Sequence, residues 1–141
     1  MTVRAILSGK GGDVTSISPE STVADAVKLL ATHRIGAVPV TDASGVVGIF
    51  SERDVIYCLD REGEAALDKK VGDVMTAPAL TVETDAPVMS ALSMMSRRRI
   101  RHLPVVEGGV MVGFVSIGDL VKYRIDRIES EAAALRDYIA S

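Results

Sequence analysis

Two short segments of the sequence pair a serine with an aspartate three residues further on: Ser51 with Asp54, and Ser116 with Asp119. A serine just before a helix accepts a hydrogen bond from the backbone of the third helical residue, and an acidic side chain at that residue bonds back. We therefore expect both serines to cap helices. A functional interpretation is compatible with this one, because the free N–H groups and partial positive charge of a helix N-terminus attract phosphate.

A dense positive patch lies just upstream of the second segment, at residues 97–102. Arg97 and Arg98 are explained equally well as a solvated helix end, where arginines favour the C-terminal dipole. Arg101 and His102 enter a predicted strand, so we expect them to point towards a cleft, where their planar donors suit phosphate oxygens. Nucleic-acid binding is disfavoured, because aromatic residues make up only 4% of the chain and its formal net charge is -3.

A glycine-rich loop with one lysine, Gly9-Lys10-Gly11-Gly12, occurs near the N-terminus. It does not match the P-loop pattern, G-x-x-x-x-G-K-[ST]. One interpretation is a flexible turn. The other is a lid whose backbone N–H groups and Lys10 reach an anion.

The elements that carry these residues occur twice in the chain. Thr15 aligns with Leu80 and Ile56 with Val121, at a constant offset of 65 residues without a gap. Ten aligned pairs are identical, and about a third of the others exchange one apolar residue for another. Periodicity and turn residues predict β-α-β-β-α in each copy, with divisions at 1–70 and 71–141. Pro39 and Pro104 lie within predicted strands, so each is expected to mark an edge or an irregularity.

Composition indicates one compact α/β domain, or two half-size units that share a single core. The chain has 141 residues, 48% of them hydrophobic, and no apolar run near the ~20 residues that span a bilayer. The first residues do not resemble a signal peptide. The single cysteine, Cys58, cannot form an intramolecular disulfide, which fits a reducing cytoplasm. We expect a cytoplasmic protein without a membrane segment, and Cys58 in the core.

The sequence contains no pattern of residues that is typical of an enzyme active site. His33 and His102 are the only histidines, and neither has a partner at metal-ligand spacing. No activated nucleophile and no carboxylate pair placed for acid–base work are evident. The sequence therefore predicts no catalytic residue and no metal site.

The two copies resemble the CBS domain, named for cystathionine β-synthase. The resemblance rests on H-R-I-G-A-V-P-V and R-R-I-R-H-L-P-V, each ahead of a glycine, two apolar residues and the Ser-x-x-Asp segment, and on V-G-D-V-M-T before the second copy. It covers nearly the whole chain and implies a stand-alone tandem pair, shaped as a disc with a pseudo-two-fold axis. It also implies two clefts between the copies that bind adenine nucleotides, and a regulatory role towards an unknown protein.

The resemblance further implies that Asp119 and Asp54 bind the ribose hydroxyls, each in its own cleft. Position 118 is Gly where the first copy has Arg53, so the Asp119 cleft is expected to leave more room for a ligand. The residues expected around Asp119 are Lys10, Thr15, Ile35, Gly36, Ala37, Arg99, Arg101, His102, Ser116 and Gly118. The second cleft is expected to hold Leu80, Ile100, Ser51, Arg53 and Asp54, with Arg101 and His102 also near it.

AMP is the expected ligand of the Asp119 cleft. NAD(H) is an alternative, because the extra Gly-Lys-Gly-Gly loop and the arginine patch can hold a second phosphate and nucleotide. A scaffold protein whose clefts stay empty is a second alternative, and an enzyme is a third.

The last predicted helix carries apolar residues spaced 4-3-4-3-4, at Val121, Ile125, Ile128, Ala132, Leu135 and Ile139. This spacing is an a/d seam of about two and a half heptads and predicts a homodimer. A helix packed on its own disc would show a similar face.

Overall fold

The structure, a computed structural model, describes all residues from Met1 to Ser141. The helices are α1 (Val3–Lys10), α2 (Val23–His33), α3 (Glu52–Glu62), a 3-10 helix (Gly63–Asp68), α4 (Val71–Val74), α5 (Val88–Arg98) and α6 (Ile117–Ala140). The strands are β1 (Ala37–Asp42), β2 (Gly45–Ser51), β3 (Val82–Glu83), β4 (His102–Glu107) and β5 (Val110–Ser116). None of the helices combines the length and apolarity that a membrane crossing requires.

Each repeat contributes an antiparallel hairpin, β1–β2 in the first and β4–β5 in the second. In the second repeat, β3 adds a parallel strand beside β4. The strand predicted at Thr15–Ser18 is reduced to a single parallel bridge between Ile17 and Val40. Pro39 is tolerated because it faces Ile49, whose N–H and C=O both pair with Thr76 on the other side. Ile49 therefore needs no hydrogen bond from Pro39, and the missing N–H of Pro39 does not interrupt the pairing of β1 with β2.

The first long helix of each repeat ends in the same way. Helix α2 begins with a capping box between Thr22 and Asp25, and it stops at Arg34, which has φ 52°. Helix α5 stops at Arg99, with φ 53°. This left-handed conformation is uncommon for a residue with a side chain, and it turns the chain directly into β1 or β4.

A lead-in helix precedes each repeat in the sequence, α1 before the first and α4 before the second, and these two helices are exchanged between the repeats. The N–H of Val3 in α1 donates to Ala86 O of the second repeat at 2.9 Å, and Val71 in α4 donates to Ser21 O of the first at 2.7 Å. The side chains follow the same rule, since Val3 lies in the core of the second repeat and Val71 in the core of the first. The predicted division at residue 70 follows the repeat in the sequence, whereas the packing crosses it.

Two separate hydrophobic cores result, rather than the single shared core expected from the small size of each unit. One contains Val3, Ile6 and residues between Val82 and Leu120. The other lies between Val23 and Val71 and includes Cys58, which is fully buried as expected. A unit of this size buries only a small share of its surface and is marginally stable alone. Each core therefore gains apolar contacts from the lead-in helix of the other repeat.

The glycine that precedes each Ser-x-x-Asp segment makes room for an exchanged lead-in segment. A Cβ at Gly48 would lie 2.6 Å from Met75 Sδ and 2.8 Å from Thr76 O. A Cβ at Gly113 would lie 2.5 Å from Leu7 Cδ2. Both strands therefore require glycine at this position because of close packing.

Candidate functional site

Asp119 is positioned by the first turn of α6. Ser116 Oγ accepts a hydrogen bond from Asp119 N at 3.1 Å, and Asp119 Oδ2 accepts from Ser116 N at 2.8 Å, so the predicted cap is confirmed here. At the equivalent place in the first repeat, Asp54 Oδ2 accepts from both Ser51 N at 2.9 Å and Ser51 Oγ at 3.2 Å. Each aspartate is thus held with its carboxylate at the start of a helix.

Lys10 reaches Asp119 from the far end of the sequence. It is the last residue of α1, and its Nζ donates to Asp119 Oδ2 at 2.6 Å and to Phe114 O at 2.8 Å. Gly9 and Lys10 lie in the last turn of α1 rather than in a loop, and the anion that Lys10 reaches belongs to the protein itself. That anion is the carboxylate of Asp119.

The environment of Asp119 favours its ionised form. Partial burial raises the pKa of this carboxyl, but the hydrogen bonds from Lys10 and Ser116 and the charge of Lys10 lower it by more. The net pKa lies below the usual value, so the group is a carboxylate at neutral pH. Because both hydrogen bonds use Oδ2, Oδ1 has no donor from the protein.

A cavity of about 410 Å³ adjoins Asp119 and is lined by both repeats. Eight of the residues predicted for this cleft line it: Lys10, Thr15, Ile35, Gly36, Ala37, His102, Ser116 and Asp119. The sequence analysis missed four further lining residues, Asp13, Val14, Arg34 and Phe114. For Arg34 and Phe114 the repeat offered a signal, because they are the counterparts of Arg99 and Ile49; Asp13 and Val14 precede the aligned region and had none.

Three residues predicted for the Asp119 cleft lie elsewhere. Arg99 and Arg101 line the other cavity, beside Asp54, where Arg101 was also expected. Arg101 is held there by an ion pair with Glu52 Oε1 at 2.9 Å, and Arg99 O accepts from Arg53 Nη1 at 3.2 Å. Gly118 lines neither cavity. A Cβ added there would meet only Ser116 Oγ, at 3.5 Å.

The cavity beside Asp54 has a volume of about 350 Å³ and includes Ser51, Arg53, Asp54 and Ile100, as predicted. Leu80 is not among its lining residues, because it packs against the core of the second repeat. Thr76 lines the cavity instead. Its backbone pairing with Ile49 places Thr76 Oγ1 2.9 Å from Asp54 Oδ1, to which it donates.

Comparison with known proteins establishes the family. The model of the CBS domain matches the chain twice, over residues 4–61 and 71–126. The chain belongs to the CBS-domain family. The predicted pair of CBS repeats with a C-terminal helix, and the α/β fold, are confirmed. CBS pairs are regulatory modules, and stand-alone pairs are generally regulatory rather than catalytic.

Relatives of this CBS pair include plant and bacterial proteins. It is 33% identical over 147 residues to the mitochondrial CBS domain-containing protein CBSX3 of Arabidopsis thaliana, over 98% of this chain and 71% of that protein. The crystal structure of the CBS-domain containing protein ATU1752 from Agrobacterium tumefaciens gives a TM-score of 0.83 at 39% identity, over 87% of this chain and 92% of that one.

A third similar structure carries ligands. The CBS domain pair of protein MJ0100, crystallised in complex with 5'-methylthioadenosine and S-adenosyl-L-methionine, gives a TM-score of 0.78 at 25% identity. The match covers 90% of this chain and 98% of that one. Adenosine compounds therefore bind to a structural relative of this CBS pair.

The two clefts of the CBS pair differ in charge. Four arginines line the Asp54 cavity, namely Arg53, Arg98, Arg99 and Arg101, against the carboxylates of Glu52 and Asp54. The Asp119 cavity is balanced, with Lys10 and Arg34 against Asp13 and Asp119. In the Asp54 cavity both carboxylate oxygens of the aspartate accept protein hydrogen bonds, so only Asp119 retains an oxygen that is free for a ligand.

His102 lines both cavities of the CBS pair. Its ring stacks on Phe114, with centroids 5.6 Å apart and planes inclined by 13°. Burial lowers the pKa of His102, and the charges of Arg101 and Lys10 lower it further, against smaller opposing effects of Asp119 and Glu52. The imidazole is therefore neutral at pH 7 and offers a ligand one N–H donor, not a positive charge. No group of His, Cys, Asp and Glu side chains is arranged to hold a metal ion.

Proposed function

We propose that this CBS pair is a sensor that binds an adenine nucleotide, AMP foremost, in the Asp119 cavity and regulates a partner protein. The observation that carries the proposal is the ionised Asp119, held at a helix start with Oδ1 free beside a cavity of about 410 Å³. A volume of this size falls within the usual range for small-molecule sites. An adenosine ligand in the MJ0100 structure supports the same class of compound.

The residues that line this cavity can bind the ribose, the adenine and the phosphate of AMP. The ribose hydroxyls donate to Asp119 Oδ1, a charge-assisted hydrogen bond. The adenine ring packs between the apolar side chain of Ile35 and the ring of Phe114, with the backbone of Gly36 and Ala37 alongside. The phosphate is held by Lys10 and Arg34, which takes the role that the sequence suggested for Arg101.

NAD(H) is the second candidate, and one observation favours it. A third cavity of about 400 Å³ shares Gly36, Arg101 and His102 with the Asp54 cavity, and Arg34, Gly36 and Ser116 with the Asp119 cavity. A dinucleotide that spans both clefts would place its diphosphate against Arg34 and Arg101.

The proposed setting is a homodimer in the cytoplasm that acts on a protein still to be identified. Cys58 is a free and fully buried thiol, which is compatible with a reducing compartment. The free apolar face of α6 supports a second copy of the chain as a partner.

Thermal unfolding tests the proposal with a panel of ligands at about 1 mM. A compound with a Kd of about 10 µM stabilises the folded state by about 2.7 kcal/mol at this concentration. We expect AMP to raise Tm, with adenosine, ATP, NADH and 5'-methylthioadenosine as comparisons and GMP as the matched control for the base. If no adenine compound raises Tm, the clefts do not sense these ligands and the scaffold alternative stands.

A further inference from the structure

Helix α6 extends well beyond the body of the molecule. It has 24 residues, a length of about 36 Å, and Leu120 in its first turn is its only buried residue. Beyond Leu120 the helix is part-buried or exposed throughout, and its large apolar residues are left in water. The exposed fractions are Val121 41%, Ile125 48%, Ile128 48%, Leu135 59% and Ile139 74%.

Such a helix requires a partner. Helices in proteins are stabilised mainly by packing of an apolar face rather than by intrinsic helix propensity. With Ile125, Ala132 and Ile139 at a positions and Val121, Ile128 and Leu135 at d positions, these residues form one stripe with the coiled-coil period. We name this stripe the α6 seam. Since no other part of the chain covers it, the partner lies outside this copy.

We propose that the α6 seam pairs with the same seam of a second copy as a parallel, in-register, two-stranded coiled coil. This adds the arrangement of the subunits to the homodimer proposed above, and it does not depend on nucleotide. The occupant is a second copy, because the charges that flank the seam on one helix are complementary to those on an identical, parallel helix.

In a parallel coiled coil, each g position faces the e position five residues later on the partner helix. The g positions of α6 include Arg124 and Glu131, and the e positions include Glu129 and Arg136. Arg124 therefore faces Glu129 of the second copy, and Glu131 faces Arg136. By symmetry each pair occurs twice, which gives four attractive contacts. Within one helix Glu131 also lies near Arg127, at 3.8 Å, so it has positive neighbours on both sides.

The antiparallel arrangement is disfavoured by the same residues. An antiparallel pair that overlaps along the whole seam joins g to g and e to e, which brings Glu131 against Glu131, Glu129 against Glu129 and Lys122 against Arg136. All three contacts are repulsive. Shorter antiparallel overlaps avoid them but leave one end of the seam in water, either Leu135 and Ile139 or Val121 and Ile125. Only the parallel pairing satisfies both the charges and the whole apolar seam.

Sedimentation velocity at about 10–100 µM tests whether the α6 seam is the dimer interface, by comparing variants inside and outside the seam. We expect wild type to be a dimer and Ile128→Glu and Leu135→Glu to dissociate at least about 100-fold more readily, because each places two unpaired carboxylates in the seam. Ser130→Glu adds the same charge on the outer face and is expected to remain dimeric. Ile56→Glu, on an exposed apolar residue of α3, is also expected to remain dimeric. A monomeric wild type overturns the proposal, as does a dimer that Ile56→Glu breaks and Ile128→Glu spares.

Three further variants test the orientation. Ser141→Cys is expected to form a disulfide-linked dimer under mild oxidation, whereas antiparallel helices would hold the two ends about 30 Å apart. Wild type is the control, since Cys58 is fully buried. Glu131→Lys is expected to weaken the dimer about tenfold, and adding Arg136→Glu is expected to restore it. Absence of the disulfide, or failure of the second substitution to restore the dimer, overturns the parallel arrangement.

The AMP-dependent rise of Tm is read on the same samples. Ile128 lies outside both cavities, so a variant that becomes monomeric still reports nucleotide binding. Loss of the dimer and loss of nucleotide binding are therefore separate results.

Discussion

Asp119 and Asp54 occupy equivalent positions in the two CBS repeats but have different partners. Both oxygens of Asp54 are taken, by Ser51 and by Thr76. Asp119 shares a single oxygen between Ser116 and Lys10. The same motif therefore has two different outcomes. Both carboxylate oxygens of Asp54 are hydrogen-bonded within the protein, whereas Asp119 retains one oxygen without a partner.

The Lys10–Asp119 contact leads to a prediction about ionisation. In Lys10→Met, the pKa of Asp119 is expected to rise, because the hydrogen bond and the positive charge that lower it are lost. The carboxyl carbon of Asp119, followed by NMR during acid titration, reports this value. Lys28→Met removes an exposed lysine of α2 and serves as the control. An unchanged midpoint for Asp119 in Lys10→Met would mean that the ion pair does not persist in solution.

His102 leads to a prediction about stability and pH. Its pKa in the folded state lies below the value of about 6.5 in an unfolded chain, so the unfolded state binds the proton more readily. This contribution to the free energy of unfolding is complete above pH of about 6.5 and is lost as the pH falls below it. His102→Phe keeps an aromatic ring against Phe114 but does not titrate.

Chemical denaturation between pH 7.5 and 5.5 measures the effect. Wild type is expected to lose more stability over this range than His102→Phe does. His33→Gln changes the exposed histidine of α2 and is expected to follow wild type. Equal slopes for wild type and His102→Phe would contradict the burial of a neutral imidazole.

At the scale of the elements, the exchanged lead-in segments depend on two glycines. Gly48→Ala is expected to lower the free energy of unfolding by about 1–3 kcal/mol, because its Cβ meets the backbone oxygen of Thr76 at 2.8 Å. Gly113→Ala is expected to cost less, since its nearest neighbour is the flexible end of Leu7.

A double-mutant cycle with Leu7→Ala measures this coupling by thermal unfolding. Shortening Leu7 relieves the clash at position 113. The double variant is therefore expected to lose less unfolding free energy than the two single variants lose together. Additive losses at Leu7 and Gly113, or full stability of Gly48→Ala, would show that the contacts at these glycines are looser than the structure indicates.

The sequence predicts the local features of these elements well, because their signals lie within a few residues. The Ser-x-x-Asp spacing places Ser116 and Asp119 at a helix start, and the repeat identifies both clefts. The contacts that distinguish the clefts are long-range. Lys10 reaches Asp119 across 109 positions, and Thr76 reaches Asp54 across 22. No periodicity encodes such contacts, so the replacement of Leu80 by Thr76 and the ion pair between Arg101 and Glu52 become apparent only from the packing.

At the scale of the whole molecule, the exchange of α1 and α4 joins two small cores into one unit. Val3→Ala is expected to cost about 2 kcal/mol and to loosen the second repeat, because Val3 is fully buried in that core. Val71→Ala is the matched variant and is expected to loosen the first repeat.

Hydrogen exchange followed by NMR distinguishes the two repeats. In Val3→Ala, exchange is expected to accelerate in β4 and β5 more than in β1 and β2, and in Val71→Ala the order is expected to reverse. If each variant instead loosens the repeat that contains it in the sequence, the exchanged packing is wrong.

The central claim, that Asp119 binds the ribose of an adenine nucleotide, is tested most directly by calorimetric titration of AMP into wild type, Asp119→Ala and Asp54→Ala. A hydrogen bond to a charged group contributes about 1.5–3 kcal/mol, so Asp119→Ala is expected to bind AMP about 10- to 150-fold more weakly. Asp54→Ala removes the same group from the cleft in which both oxygens are already used, and it is expected to bind AMP nearly as wild type does. Equal affinity of wild type and Asp119→Ala, or loss of binding in Asp54→Ala alone, would contradict the account.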